Sequence, residues 1–335
     1  MRKLHVVMCF DENVIVGVLS LMTSIKNNNP ELECIYHLCG VNNVLIRFSE
    51  LFTNYKNRIG LSEENLVLHN IELFEDYQKV KRDLFVFLRK GNRNLTIAAF
   101  YRLIVFDNIP MEEDQDRFVY LDTDTICNGD ISLLGELDFS DNLVAAVPDF
   151  PYQLKYARTK LNFKGDNYFN SGFMVINARL WRKEKISQKI MQILIDMMPK
   201  QLDQDVLNIA CSNRVLWLSG QFNSITNDSN EPCRDAVIIH YTGADKPWKP
   251  WRASKPSVEI YRRYLSIMEP DSHLWFDTDG SNSQALSHAG SIHDFKMLSR
   301  LCLQKHRYSK AIYWWVKHLI YKVRRKGILF VLLGK

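Results

Sequence analysis

Short apolar runs rich in β-branched residues alternate along this chain with longer stretches that repeat their apolar residues at helical spacing. Residues 4–10, 35–39, 66–69, 117–121, 143–147, 173–177 and 237–240 read as strands. Residues 95–106 and 186–198 read as helices. In the second, Ile186, Ile190, Ile193, Leu194 and Met197 fall on one face of a 3.6-residue period. Alternation of this kind predicts an α/β sandwich around a largely parallel sheet. Ligands of such a sheet bind beyond the carboxyl ends of its strands.

The chain's 335 residues exceed the usual size of a single core. A change of composition near Glu269-Pro270-Asp271 predicts a main domain over 1–270 and an extension over 271–335. The extension opens on a polar stretch at 277–283 and continues as a helical, aromatic and basic segment over 301–326. No apolar run reaches the roughly 18 residues of a membrane span. The N-terminus breaks at Asp11 and Glu12 before a signal-peptide core forms, so it reads as a first buried strand of a cytoplasmic protein. The seven cysteines are scattered without a Cys-x-x-Cys pair, a pattern of free thiols in place of disulfides or a zinc site.

Charge is distributed unevenly. Residues 301–335 hold nine Lys or Arg and no acid, while the preceding 300 residues hold 34 basic against 38 acidic side chains. The main domain therefore lacks the basic surface of a nucleic-acid binder, and the tail calls for a local anionic partner.

Four Asp-x-Asp pairs occur in the chain, but at Asp122 and Asp124 an apolar strand, Arg117-Phe118-Val119-Tyr120-Leu121, ends immediately before the acids. Two carboxylates at a strand's carboxyl end can grip a divalent cation and leave its other positions open to diphosphate oxygens. The same pair also suits an acidic turn. A second segment, His240-Tyr241-Thr242-Gly243-Ala244-Asp245-Lys246, again follows an apolar strand and offers an imidazole, a flexible backbone and a cation. A third, Tyr168-Phe169-Asn170-Ser171-Gly172, places amides before a strand. Asn170 there suits sugar hydroxyls, or simply a turn. A fourth, Leu202-Asp203-Gln204-Asp205, opens a helix with acids, where stabilisation of the helix dipole is the plain alternative.

Taken in this order, with Met8-Cys9-Phe10-Asp11-Glu12-Asn13 at the start, these segments resemble glycosyltransferase family 8 over residues 4–252. The basic, aromatic extension looks most like that of the bacterial lipopolysaccharide outer-core α-glucosyl- and α-galactosyltransferases. The resemblance implies a GT-A type fold, a single Rossmann-like domain that binds a nucleotide-sugar. It also implies a UDP-hexose donor and a Mn²⁺ or Mg²⁺ ion held by Asp122, Asp124 and His240. Cys9, Asp11, Asn13, Thr123, Gly243 and Lys246 would line the nucleotide and its phosphates. Arg102, Asn170 and Asp203 would reach the donor sugar, with Gln204 beneath the anomeric carbon and Asp149 near the acceptor. Val14 stands where many relatives carry an aromatic for base stacking.

The family retains anomeric configuration, so an α-linked donor would give an α-1,2 or α-1,3 product. Either a carboxylate, Asp205, attacks covalently or the acceptor enters on the leaving group's face. Same-face substitution is favoured, because Gln204 is a poor nucleophile. The acceptor implied is a lipid-linked core oligosaccharide. Capsule, teichoic-acid or protein-linked glycans are the alternatives, and a non-catalytic sugar-binding scaffold is the reading from another class. Trp, Tyr, Lys and Arg interleaved in the tail suit the cytoplasmic face of an anionic inner membrane. A helical hairpin packed on the catalytic domain, its cations merely solvated, is the competing expectation.

Overall fold

The computed structural model describes residues 3–82, 97–112, 115–197, 203–227, 230–243, 246–249, 256–269 and 292–325. The start of the helix expected at 95, the boundary near 270, the polar stretch at 277–283 and the apolar end of the chain lie outside them. The chain divides into two compact units, Met1–Tyr241 and Thr242–Lys335.

The first unit is an α/β sandwich. Its main sheet has seven strands, β1 (Leu4–Cys9), β2 (Cys34–Gly40), β3 (Leu66–Asn70), β4 (Arg117–Leu121), β6 (Val144–Pro148), β7 (Phe169–Asn177) and β8 (Val215–Trp217), in the order β3-β2-β1-β4-β7-β6-β8. Every described pairing is parallel except those of β7, which runs against β4 and β6. A smaller sheet has β10 (Ile238–Tyr241) between β5 (Thr125–Cys127) and β9 (Ser224–Thr226).

The expected strands are present, most within a residue or two. The strand expected at 173–177 begins earlier, at Phe169. Three-residue strands β5, β8 and β9 are too short for alternation to register in sequence. The helix at 186–198 is Ile186–Met197. Residues 97–103 form a 3₁₀ turn instead of an α-helix, followed by the short helix Val105–Asn108. Ala98, Phe100, Tyr101, Leu103, Ile104, Val105 and Phe106 are all buried there, so tertiary packing, not helix propensity, sets this backbone.

β1 is buried at every position, and the helix Ile15–Asn28 is buried from Ile15 through Ile25 except at Val16. A helix enclosed on nearly all sides has no polar stripe, which hides it from a search for amphipathic period. Three buried histidines run in file across β1, β2 and β3. His5 Nδ1 lies 2.9 Å from His37 Nε2, and His37 Nδ1 lies 2.9 Å from His69 Nε2. Burial, then the neighbouring imidazoles, lowers the pKa of His37 to about 3, and burial lowers that of His69 to about 4.

In the second unit the helix Pro256–Met268 precedes a pair of helices, Ile292–Gln304 and Tyr308–Arg325. The pair closes on Phe295, Leu298, Cys302, Ala311 and Trp314, with Trp314 stacked on Phe295. Trp315, Tyr313, Ile312 and Tyr321 remain exposed. Among the described residues no helix is long and apolar enough to cross a membrane.

Candidate active site

Pairing geometry explains how residues far apart in sequence meet. β4 ends at Leu121, opposite Phe173 of β7, and the Asp122 N–H donates to the Gly172 carbonyl at 2.8 Å. The chain turns through Asp122–Asp124 into β5, which pairs with β10 so that Thr125 faces His240. The Tyr241 N–H then donates to the Asp124 carbonyl at 2.9 Å. These bonds set His240 Nε2 at 3.3 Å from Asp124 Oδ1 and 3.9 Å from Asp122 Oδ2. Ligand atoms of all three side chains lie within 4.8 Å of one another.

That approach needs a glycine. A Cβ on Gly172 would stand 2.1 Å from His240 Cε1 and 2.9 Å from Asp122 Oδ2. With no side chain there, two carboxylates and an imidazole nitrogen converge on one point, a donor set of O, O and N suited to Mn²⁺ or Mg²⁺. The residues fit the ion that the sequence implies.

Asp122 is held from behind. Its Oδ1 accepts from the Tyr120 hydroxyl at 2.8 Å and pairs with Arg102 Nη2 at 2.7 Å, which leaves Oδ2 toward His240. Arg102 also pairs through Nε with Asp203 at 3.3 Å and donates from Nη1 to the Ser171 carbonyl at 3.0 Å. Its guanidinium lies over the Tyr120 ring. Burial opposes the Arg102 charge, but Asp122, Tyr120 and Asp203 outweigh it and hold the pKa above its ordinary value. Burial raises Asp203 to about 6, with Arg102 acting against the rise and Asp122 adding to it. In this arrangement Arg102 braces two carboxylates.

The start of β7 and the helix Asp203–Ala210 supply a second, amide-rich group. The Ser171 N–H and Asn170 Nδ2 both donate to Gln204 Oε1, at 3.2 and 3.1 Å. Gln204 Nε2 donates to Asp149 Oδ2 at 3.0 Å. Gln204, Asn170 and Asp149 are thus one hydrogen-bonded cluster, with Asp149 just beyond β6. Asp205 points elsewhere. It is fully buried, accepting from the Tyr168 hydroxyl at 2.6 Å and the Tyr156 hydroxyl at 3.3 Å.

Asp11 caps a short 3₁₀ turn, accepting from the Asn13 N–H at 2.9 Å. Asn13 is exposed, and Cys9 is buried at the end of β1. Thr123 is buried between Asp122 and Asp124. Gly243, at a φ of +89°, and Lys246 belong to the second unit. Sequence reading missed three contributors. Tyr120 reads as strand core, Gly172 as a turn residue, and Asn223, whose Oδ1 lies 3.0 Å from His240 Nδ1, sits in a segment with no motif spacing at all.

Residues 5–252 match the protein family described as Glycosyl transferase family 8. The chain belongs to that family. It is similar to a lipopolysaccharide 1,2-glucosyltransferase of Escherichia coli strain K12, at 31% identity over 68% of each chain. It is also similar to a lipopolysaccharide 1,3-galactosyltransferase of Salmonella typhimurium, at 26% identity over 94% of this chain and 90% of the relative. In fold it resembles the crystal structure of the galactosyltransferase LgtC in complex with donor and acceptor sugar analogs. There the TM-score is 0.64 and the identity 19%, over 79% of this chain and 96% of LgtC. This family 8 chain is a glycosyltransferase with the α/β, mostly parallel architecture expected from its sequence.

Proposed function

We propose that this family 8 enzyme transfers glucose or galactose from a UDP-hexose to a hexose of the lipopolysaccharide outer core. The α configuration is retained in a 1,2 or 1,3 linkage, and the reaction depends on Mn²⁺ or Mg²⁺. The observation that carries the reading is the convergence of Asp122, Asp124 and His240 where strands of both sheets end. The acceptor class rests on the relatives' names.

A divalent ion held by those three side chains would neutralise the diphosphate of the leaving UDP. Gly243 and Lys246 are proposed to add backbone and charge to the phosphates, and Cys9, Asp11, Asn13 and Thr123 to line the nucleotide. Arg102, paired with Asp122 Oδ1, keeps that carboxylate aimed. Gln204, held at its oxygen by two donors and at its nitrogen by Asp149, is a fixed polar surface for the donor sugar. Asp149 is proposed to meet the acceptor.

The geometry favours substitution on one face of the sugar. For Asp205 to attack the anomeric carbon, it would leave two tyrosine hydroxyls and a fully buried position. In same-face substitution no side chain needs to form a bond to the sugar. The acceptor hydroxyl gives its proton to the departing phosphate oxygen.

The basic tail is proposed to bind the cytoplasmic face of the inner membrane, where a lipid-linked acceptor is displayed. The helix Tyr308–Arg325 exposes Ile312, Tyr313, Trp315 and Tyr321 among its cations. Metal-stripped protein, resupplied with Mn²⁺, should release UDP from UDP-glucose or UDP-galactose and do so faster with a truncated core acceptor. No release from either donor, with or without acceptor, would sink the reading.

A further inference from the structure

Asn223 ends a 3₁₀ turn, Gly220–Asn223, just ahead of β9, and is 4% exposed. It touches two groups that the account above treats separately. Its Oδ1 lies 3.0 Å from His240 Nδ1, and its Nδ2 lies 3.1 Å from Asn170 Oδ1.

The direction of every bond in this chain follows from two backbone amides, because an N–H group can only donate. The Gly172 N–H meets Asn170 at 3.1 Å, so the Asn170 atom there is its oxygen. The Ser171 N–H likewise fixes the oxygen of Gln204. With its oxygen placed, Asn170 presents Nδ2 to Gln204 and Asp149. The partner of Asn170 Oδ1 across the gap must then be a donor, which orients Asn223 with Nδ2 toward Asn170. Asn223 Oδ1 is left facing His240, so His240 carries a proton on Nδ1. Its Nε2 lone pair then points at Asp122 and Asp124, as a metal ligand requires.

We propose that Asn223 is a positioning residue with two outputs. It holds His240 in the tautomer that ligates the metal, and it ties that imidazole to the amides Asn170 and Gln204 that face the sugar. The metal half of this inference rests on the function proposed above; the tautomer half does not. The Asn170 end of the link accepts from the Gly172 N–H of β7, whose carbonyl in turn accepts from the Asp122 N–H, so the sugar surface and one candidate ion ligand are registered to one piece of backbone.

Two substitutions separate the outputs. Asn223→Asp keeps an acceptor for His240 Nδ1 but sets an oxygen against Asn170 Oδ1. Asn223→Leu removes both bonds at similar volume, and Asn223→Ala replaces it if the leucine protein fails to fold. The imidazole nitrogens of His240 are followed by ¹⁵N NMR of histidine-labelled protein, assigned with His240→Gln, at a pH where free imidazole is neutral. Mn²⁺ affinity is followed by the EPR signal of free Mn²⁺.

Wild type and Asn223→Asp should show the proton on Nδ1, and Asn223→Leu should lose that preference. Mn²⁺ affinity should fall about 10- to 100-fold in Asn223→Leu and stay within about 3-fold of wild type in Asn223→Asp. The aspartate variant should instead lose kcat at saturating metal. If wild type binds no Mn²⁺ while the tautomer still depends on position 223, the metal reading fails and the positioning role stands. Unchanged His240 nitrogens and unchanged Mn²⁺ affinity in a folded leucine or alanine variant would overturn the proposal, even if thermal stability fell.

Discussion

Gly172 and His240 approach so closely that one added carbon at the glycine would lie 2.1 Å from the imidazole Cε1. The same carbon would lie 2.9 Å from Asp122 Oδ2. Both distances are under van der Waals contact, and His240 is fixed by strand pairing on one side and by Asn223 on the other. Gly172→Ala should therefore displace the imidazole or the carboxylate while the sheet stays intact. Turnover should fall by about 100-fold or more, with Mn²⁺ affinity falling alongside it. Normal Mn²⁺ binding in a Gly172→Ala protein would show that the three side chains are not the ligands.

Asp205 gives a test of the chemistry. Its carboxylate accepts from two tyrosine hydroxyls, and burial together with the Asp205 charge raises the pKa of Tyr168, so that hydroxyl stays a donor. Asn at this position retains an acceptor for Tyr168. Asp205→Asn should thus lower kcat by less than about 10-fold, far from the loss expected on removing a covalent nucleophile. Mass spectrometry of wild-type protein with donor alone should show no glycosyl adduct, and an adduct at Asp205 would replace same-face substitution with double displacement.

The histidine file predicts acid sensitivity. In the fold His37 and His69 stay neutral down to about 3 and about 4, whereas an unfolded chain protonates them near their ordinary value of 6.5. Between these limits the unfolded state holds more protons, so stability is full above about 6.5 and drains as pH falls toward 4. Each such proton contributes a slope of about 1.4 kcal/mol per pH unit. Urea unfolding across this range should show that slope, and His37→Gln should flatten it. An identical slope in the variant would remove the file from the account.

The exposed face of the helix pair tests the membrane proposal. Trp314 packs on Phe295 inside the helix pair, so it is core and not available to a membrane. Ile312 and Trp315 are 62% and 53% exposed. Replacing both with Ser should leave the pair folded and reduce flotation with anionic vesicles, with salt weakening what remains. If wild-type protein floats with neither neutral nor anionic vesicles, the membrane proposal is wrong.

Much of this architecture is legible in sequence because strands such as Arg117–Leu121 end abruptly in chemistry-bearing residues. The convergence of Asp122, Asp124 and His240 was readable for the same reason: each follows an apolar run. What sequence did not reveal depends on pairing. Arg102 reads as a sugar contact, and its pairing with Asp122 and Asp203 becomes visible only once the 3₁₀ turn lays the guanidinium over Tyr120 of β4. Asp203, Gln204 and Asp205 look equivalent in a row, and only the helix phase turns one to Arg102, one to Asp149 and one to Tyr168. Asn223 and Gly172 matter through bonds and clearances across β7, β9 and β10, and no linear spacing encodes those.

The central claim is that Asp122, Asp124 and His240 hold a divalent ion that the transfer needs. Its most direct test is Mn²⁺ binding and UDP release measured together on wild type and Asp124→Asn, a near-isosteric change that removes one ligand charge. The account predicts that EDTA abolishes UDP release in wild type and that Mn²⁺ restores it. In the folded variant, Mn²⁺ affinity and turnover should fall together, turnover by about 100-fold or more. Undiminished turnover in Asp124→Asn, or wild-type turnover indifferent to EDTA, would contradict it.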